Sequence, residues 1–220
     1  MSNLSYRKTI IMALEKNLNP QPDIQKNDEI ILVVKREKVV QESWHGLKEA
    51  NFTEFASIVE QEAEFHPRSL MENDPHYKQI IPYLIFNYQD KLFVMQRQAK
   101  ASEQRLKSKL TLGIGGHIRE EDLTTNNIID WATREFEEEV NYQGGYKVKP
   151  IGLLNDDSNP VGEVHLGVVF LLIADSDNIQ VKSEFTSGKL ITIDEGEFDY
   201  PLMENWAQIC FDFIKINKII

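Results

Sequence analysis

From about residue 28 onward, apolar positions fall in short runs punctuated by polar and turn-forming residues, with stretches of helical spacing between them. The unbroken run Ile30, Ile31, Leu32, Val33, Val34 predicts a buried strand over residues 29–35. Phe52, Phe55, Ile58, Val59 and Ala63 recur every three or four residues and predict a helix over 53–64, its aromatic stripe facing the core. Two apolar strands, 80–87 and 91–96, flank the turn residues Gln89 and Asp90 and form a hairpin. A strand-like segment over 110–114 runs into Gly115-Gly116-His117, and a helix carrying Ile129, Ala132, Phe136 and Val140 on one face follows. Strands are then predicted over 146–154, 164–174, 179–182 and 190–193, with a polar loop at 155–160 and turn residues at 175–178. A closing amphipathic helix over 202–216 bears Trp206, Ile209, Cys210 and Phe213. Before all of this, a short amphipathic piece at 6–18 ends in Asn19-Pro20-Gln21-Pro22, a break that sets residues 1–27 apart as an extension of the domain at 28–220. Strands and helices intermix, which predicts a mixed sheet between helices.

The second half of the Gly115 helix departs from an ordinary amphipathic pattern. Arg134-Glu135-Phe136-Glu137-Glu138-Glu139 places acids at i, i+3 and i+4, so that Glu135, Glu138 and Glu139 share a face about a third of a turn from the apolar stripe. Carboxylates gathered this closely repel one another unless a cation lies between them, and an all-oxygen set suits Mg²⁺ or Mn²⁺. Asp130 and Glu138 stand four residues either side of Arg134, whose forked guanidinium can fix a carboxylate rotamer. Thr124 to Asn127 read as loop and N-cap, and Asn141 is placed as a left-handed cap at the helix end. A glutamate-rich helix alone is most often a solvated face; joined to the glycines and the strand before them, it reads as a metal site.

These residues resemble the Nudix hydrolase family, whose box is a glycine, five residues, a glutamate, seven residues, and then Arg-Glu-apolar-any-Glu-Glu-any-Gly-apolar. Gly116 matches the first glycine, and Arg134, Glu135, Phe136, Glu138, Glu139 and Tyr142 match the second half. Asp122 stands in place of the first glutamate, the gap to Arg134 is four residues longer than the pattern, and Asn141 replaces the second glycine. The segments His66-Pro67-Arg68, Lys78 to Tyr83, Gly113 to Ile118, Asn155 to Gly162 and Val164 to Val168 are similar to a branch of Nudix proteins described as predicted phosphoesterases, from about residue 28 to the end.

The resemblance implies an α/β/α sandwich around a mixed β-sheet, with an N-terminal elaboration. It also implies Mg²⁺- or Mn²⁺-dependent hydrolysis of a diphosphate linkage in a nucleoside diphosphate derivative or related organic pyrophosphate, by water attack at phosphorus. Glu135, Glu138, Glu139 and the Gly116 carbonyl are the implied metal ligands, joined by Glu184 from a distant loop, for which Glu163 and Asp157 are rivals. The general base is Glu135, Glu138 or that distant loop carboxylate, and Arg134 completes the catalytic group. Arg97, at the end of its strand, and His117, beside the glycines, are the candidate substrate contacts. His165 is read as lining the pocket from its strand or, more commonly for such a residue, as a structural strand histidine, and Arg68, Tyr83 and Trp131 as either packing or base and sugar contacts. Two other classes compete: an isomerase of isoprenoid diphosphates, for which Cys210 is a poor nucleophile, and a catalytically silent nucleotide-binding or regulatory protein. Dimers are frequent in the family, so a homodimer is within its range.

Bulk composition narrows the partners further. The 220 residues carry 24 Lys and Arg against 35 Asp and Glu, a net charge of −11, which argues against general nucleic-acid binding. An anionic substrate then needs metal ions or a local basic patch, and Arg97, Lys100, Arg105, Lys107 and Lys109 lie within thirteen residues of one another. The longest apolar runs fall short of the roughly 20 residues of a membrane span, and a single cysteine fits a reducing cytoplasm. No signal peptide is expected.

Overall fold

The computed structural model describes residues 28–98, 109–120, 128–183 and 185–220, and the side chains of 128–131 lie outside that description. The amphipathic piece at 6–18 falls outside it as well. Twelve strands occur among the described residues. The first six are β1 (Ile30–Lys35), β2 (Gly46–Lys48), β3 (Ala63–Pro67), β4 (Tyr77–Tyr88), β5 (Lys91–Arg97) and β6 (Leu110–Thr111). The remaining six are β7 (Gly113–Gly115), β8 (Val140–Tyr142), β9 (Tyr146–Asn155), β10 (His165–Ala174), β11 (Ile179–Val181) and β12 (Phe185–Thr192). Ten of them form one sheet in the order β12-β5-β4-β10-β9-β2, with β1 and β7 attached to β4, β6 to β5, and β3 to β1. The sheet is mixed: β10 runs parallel to β4 and the other pairings are antiparallel.

Because neighbouring side chains of a strand point to opposite faces, β4 and β10 feed two cores. Ile80, Leu84 and Phe86 join Leu166, Val168, Phe170 and Leu172 on one face, beneath the helix Ile128–Glu139 and the helix Phe52–Glu62. Tyr83, Ile85, Val169 and Leu171 line the other, closed by Ala207, Cys210, Phe211 and Ile214 of the helix Asn205–Ile216. Helices on both faces of a mixed sheet make the expected α/β/α sandwich. No helix among the described residues is long and apolar enough to cross a membrane.

The predicted hairpin is present, with Gln89 in the left-handed region at φ 55° and the Asn87 amide bonding the Gln89 and Lys91 carbonyls at 2.8 and 3.0 Å. Three local readings change. The helix begun at Phe52 stops at Glu62, because Ala63 to Pro67 is recruited as β3 against β1. The strand expected at 190–193 starts earlier, at Phe185, where it extends along β5, and Ile193 opens a helix, Ile193–Asp199, capped by a reciprocal Thr192–Glu195 pair. Asn141 is not a left-handed cap. It lies extended in β8, facing Gln180 across β11, because pairing with Ile179 to Val181 outweighs the local capping preference. The helix end is satisfied from the end of β11: the Lys182 backbone N–H donates to the Glu139 carbonyl at 2.8 Å, and its Nζ donates to the Glu137 carbonyl.

Candidate active site

The rotation of the helix Ile128–Glu139 is set by its apolar stripe. Ala132, Phe136 and Val140 are buried, and Phe136 stacks on Phe86 at 6.2 Å with near-parallel rings. With that stripe fixed on the sheet, Glu135, Glu138 and Glu139 all border a cleft of about 730 Å³, as the spacing requires. Arg134 lies 2.8 Å from Glu135 and 3.0 Å from Glu138, so one guanidinium orients two of the three carboxylates. Glu139 is only 9% exposed, whereas the Glu138 side chain is 57% exposed.

The opposite wall explains the glycine. A Cβ built on Gly116 would sit 2.4 Å from the Glu135 carboxyl carbon, so glycine lets the backbone approach that carboxylate where it stands, and a larger residue would push it aside. Strand β7, paired to β4 through Ile114 and Leu84, delivers Gly115 and Gly116 to this point. The structure therefore brings Gly116, Arg134, Glu135, Glu138 and Glu139 together. Asp122 and Glu184 lie outside the described residues, as do Lys100, Arg105 and Lys107 and the side chains of Ile129, Asp130 and Trp131.

Arg97 and Lys109, the described members of the basic segment, both border the cleft, joined there by Arg68 and Arg119. Arg97 Nε is 3.5 Å from Glu204, and its guanidinium lies over the Phe185 ring. Arg68 is bonded to Glu29 at 2.8 Å and to Glu72 at 3.0 Å. Tyr83 is a packing residue: its hydroxyl lies 3.1 Å from Thr111 Oγ1 and accepts from the Gly113 N–H at 3.0 Å, while its ring meets Trp206 edge-on at 5.5 Å. Trp206 also borders the cleft and offers an aromatic surface there. The rival carboxylate Asp157 is committed elsewhere. Lys78, fully buried beneath it, donates at 2.9 Å to Asp157 and to the Gly162 and His165 carbonyls, and Arg36 donates to both carboxylate oxygens. Burial opposes the Asp157 charge, but hydrogen bonds from Arg36, Asn155 and Lys78 overcome it and hold the carboxyl well below its usual range. Glu163 is exposed. Cys210, the chain's one cysteine, is fully buried in the core on the far face of the sheet, where burial raises its thiol pKa; it cannot serve a reaction in the cleft.

The sequence did not foresee the partners of His117. Its Nε2 donates to Gln79 Oε1 at 2.7 Å and lies 3.3 Å from His165 Nε2. His165, for which the sequence offered a pocket-lining or a structural role, borders the cleft and turns its other nitrogen to the Val161 carbonyl, with Nδ1 donating at 2.6 Å. Burial, with the charges of Arg68 and His165, lowers His117 to about 3, and burial lowers His165 as well, so both rings are neutral near pH 7. Gln79 is fully buried, and its Nε2 has no hydrogen-bond partner, a situation costing about 1–3 kcal/mol. Glu72 completes the cluster. His165 and Gln79 are register neighbours across the parallel pair β10 and β4, a pairing no local pattern announces.

No family model matches the sequence. The chain is 32% identical over 204 residues to Protein YmaB of Bacillus subtilis, across 86% of this chain and 99% of that protein. The crystal structure of Tm1382, assigned to the Nudix hydrolases, is 31% identical and superposes with a TM-score of 0.73, covering 84% of this chain and 98% of the other. The Nudix domain of Shewanella oneidensis NrtR, solved with ADP ribose, gives a TM-score of 0.50 at 9% identity over 65% of this chain and 89% of its own, a likeness of fold alone.

Proposed function

Because the chain belongs to the Nudix hydrolase family and is a hydrolase of the Nudix type, we propose that it cleaves a diphosphate linkage in a small nucleotide derivative or related organic pyrophosphate, with a divalent cation held in the acidic cleft. The observation that carries this reading is the meeting of Glu135, Glu138 and Glu139 with the backbone of Gly116 in one cleft, where a Cβ on Gly116 would displace the Glu135 carboxyl.

The donor set fits the metal. Carboxylate and carbonyl oxygens suit Mg²⁺ or Mn²⁺, and Glu135, Glu138, Glu139 and the Gly116 carbonyl would hold it. When bound, such an ion neutralises phosphate oxygens and makes water a stronger acid. Arg134 positions the Glu135 and Glu138 carboxylates, holding their rotamers against mutual repulsion. Of the three cleft acids, Glu138 is the most open to solvent and is our choice of base toward the attacking water, a role in which it would leave the ion to Glu135, Glu139 and the Gly116 carbonyl. Arg97, Lys109, Arg68 and Arg119 bring positive charge to a cleft in a chain of net charge −11, which supports an anionic substrate. The exposed part of Trp206 offers a stacking surface at the same cleft.

The test is turnover of a panel of nucleoside diphosphate derivatives with Mg²⁺ or Mn²⁺, read as phosphate released by added phosphatase. Glu138→Gln should lower turnover about 10²–10⁴-fold. Wild type no faster than Glu138→Gln across the panel would overturn the hydrolytic reading in favour of binding without chemistry.

A further inference from the structure

The histidine cluster beside the acidic helix has the form of a second, chemically different ion site. Ligand atoms of Glu72, His117 and His165 lie within 4.8 Å of one another. The two Nε2 atoms are 3.3 Å apart. Two nitrogens at about 2.0–2.1 Å from a tetrahedral zinc stand roughly that far apart, so the pair already spans one edge of such a coordination shell. His165 is held for this role from behind. Its Nδ1–H is engaged by the Val161 carbonyl, which leaves the Nε2 lone pair facing His117 and is the arrangement metal-bound histidines ordinarily show. Arg68 anchors Glu72 at 3.0 Å and limits the rotation of its carboxylate.

Gln79 is an independent pointer. It is fully buried, and its amide directs the oxygen at the cluster while its nitrogen has no hydrogen-bond partner. That orientation is poor for a lone amide and favourable when the oxygen faces a cation.

We propose that Glu72, His117 and His165 bind a transition-metal dication, with Zn²⁺ the best-matched occupant and the Gln79 oxygen available as a fourth donor. The ion takes the place of the proton on His117 Nε2, which moves to Nδ1 of the same neutral ring. Nitrogen donors separate this site from the all-oxygen set in the same cleft: the histidines select Zn²⁺ or Co²⁺, and the glutamates select Mg²⁺ or Mn²⁺. The proposal does not depend on the chain's being a pyrophosphohydrolase.

The experiment uses full-length protein stripped with chelator and titrated with Co²⁺ in excess Mg²⁺, followed by visible absorption. Intense bands of low-coordinate cobalt should appear, saturate at one equivalent and be bleached by Zn²⁺. They should persist in Glu138→Gln and weaken in His165→Gln and His117→Gln, with affinity falling by more than the roughly 10- to 100-fold that loss of a supporting partner costs. Gln79→Ala should fall within that smaller range. Should a histidine variant fail to fold by circular dichroism, Glu72→Gln, in the turn that follows the short helix Arg68–Met71, gives the same readout. A wild-type protein with no cobalt bands, or bands that survive both histidine substitutions, or bands lost in Glu138→Gln alone, would overturn the proposal.

Discussion

Asp157 and the glutamates of the helix Ile128–Glu139 are both carboxylates set among other charges, and they meet opposite ends. Asp157 receives hydrogen bonds from Lys78, Arg36 and Asn155, so the fold itself supplies its counter-charge. Glu135 and Glu138 share Arg134, and together with Glu139 they border the cleft. A carboxylate saturated by the chain's own donors contributes to folding, whereas carboxylates gathered on an open wall around a shared arginine are arranged for something that arrives from solution. Proximity of charge is thus a weaker guide than the number of donors already aimed at it.

Substitutions at the two places should separate cleanly. Glu138→Gln should cut turnover about 10²–10⁴-fold while stability stays within roughly 0.5 kcal/mol, since it removes one of several like charges near the surface. Equal losses in activity and in urea midpoint would erase the contrast. Lys78→Met should do the reverse, costing about 3 kcal/mol in urea unfolding because Asp157 and two backbone carbonyls lose a buried donor. A cost below that of an ordinary surface change would mean that Arg36 and Asn155 suffice to support Asp157.

Acid should sharpen the comparison. His117 is held near 3 in the folded protein against an ordinary value of 6.5, so between those limits the unfolded chain binds a proton that the native protein refuses. The contribution of neutral His117 is complete above 6.5 and is lost as pH falls toward 3, at up to about 1.4 kcal/mol per pH unit. Asp157, also depressed, adds its loss only at the acid end. Stability measured from pH 7.5 to 4.5 should show the first slope in wild type and a flatter one in His117→Gln; parallel curves would refute it. Gly116→Ala should lower Mg²⁺ or Mn²⁺ affinity about 10- to 100-fold by pushing the Glu135 carboxyl aside, with little effect on the melting temperature, as calorimetric titration would report. The smallest effect belongs to Asn141→Gly. Glycine in an extended strand should cost about 0.5–1 kcal/mol, whereas a left-handed cap would have been stabilised by the same change.

The acidic face of the cleft was legible because it is local. Glu135, Glu138 and Glu139 share a helix face by spacing alone, and the stripe Ala132, Phe136, Val140 fixes which way that face turns. The strand cores were legible for the same reason, since runs such as 30–34 and 80–86 alternate or saturate in apolar residues. What escaped is what depends on distant pairing. His165 gave no sign of meeting His117, because their contact spans 48 residues and follows from the register of β10 on β4. Asn141 misled for a related reason: its intrinsic taste for positive φ is worth less than the strand it forms with β11. Lys78 was one of several charges in sequence, and only the parallel pairing above it shows that it is fully buried.

The adjacency of β4 and β10 has a temporal consequence. Residues 77–88 form the middle of the sheet, yet their parallel neighbour is 165–174, so the ribosome must release most of the chain before the centre can close. Until then an apolar ribbon waits with one edge bare, the circumstance in which nascent chains draw chaperones or stick to one another. Joining these two ribbons also brings His165 alongside Gln79, so the imidazole pair is assembled in the same late, slow event.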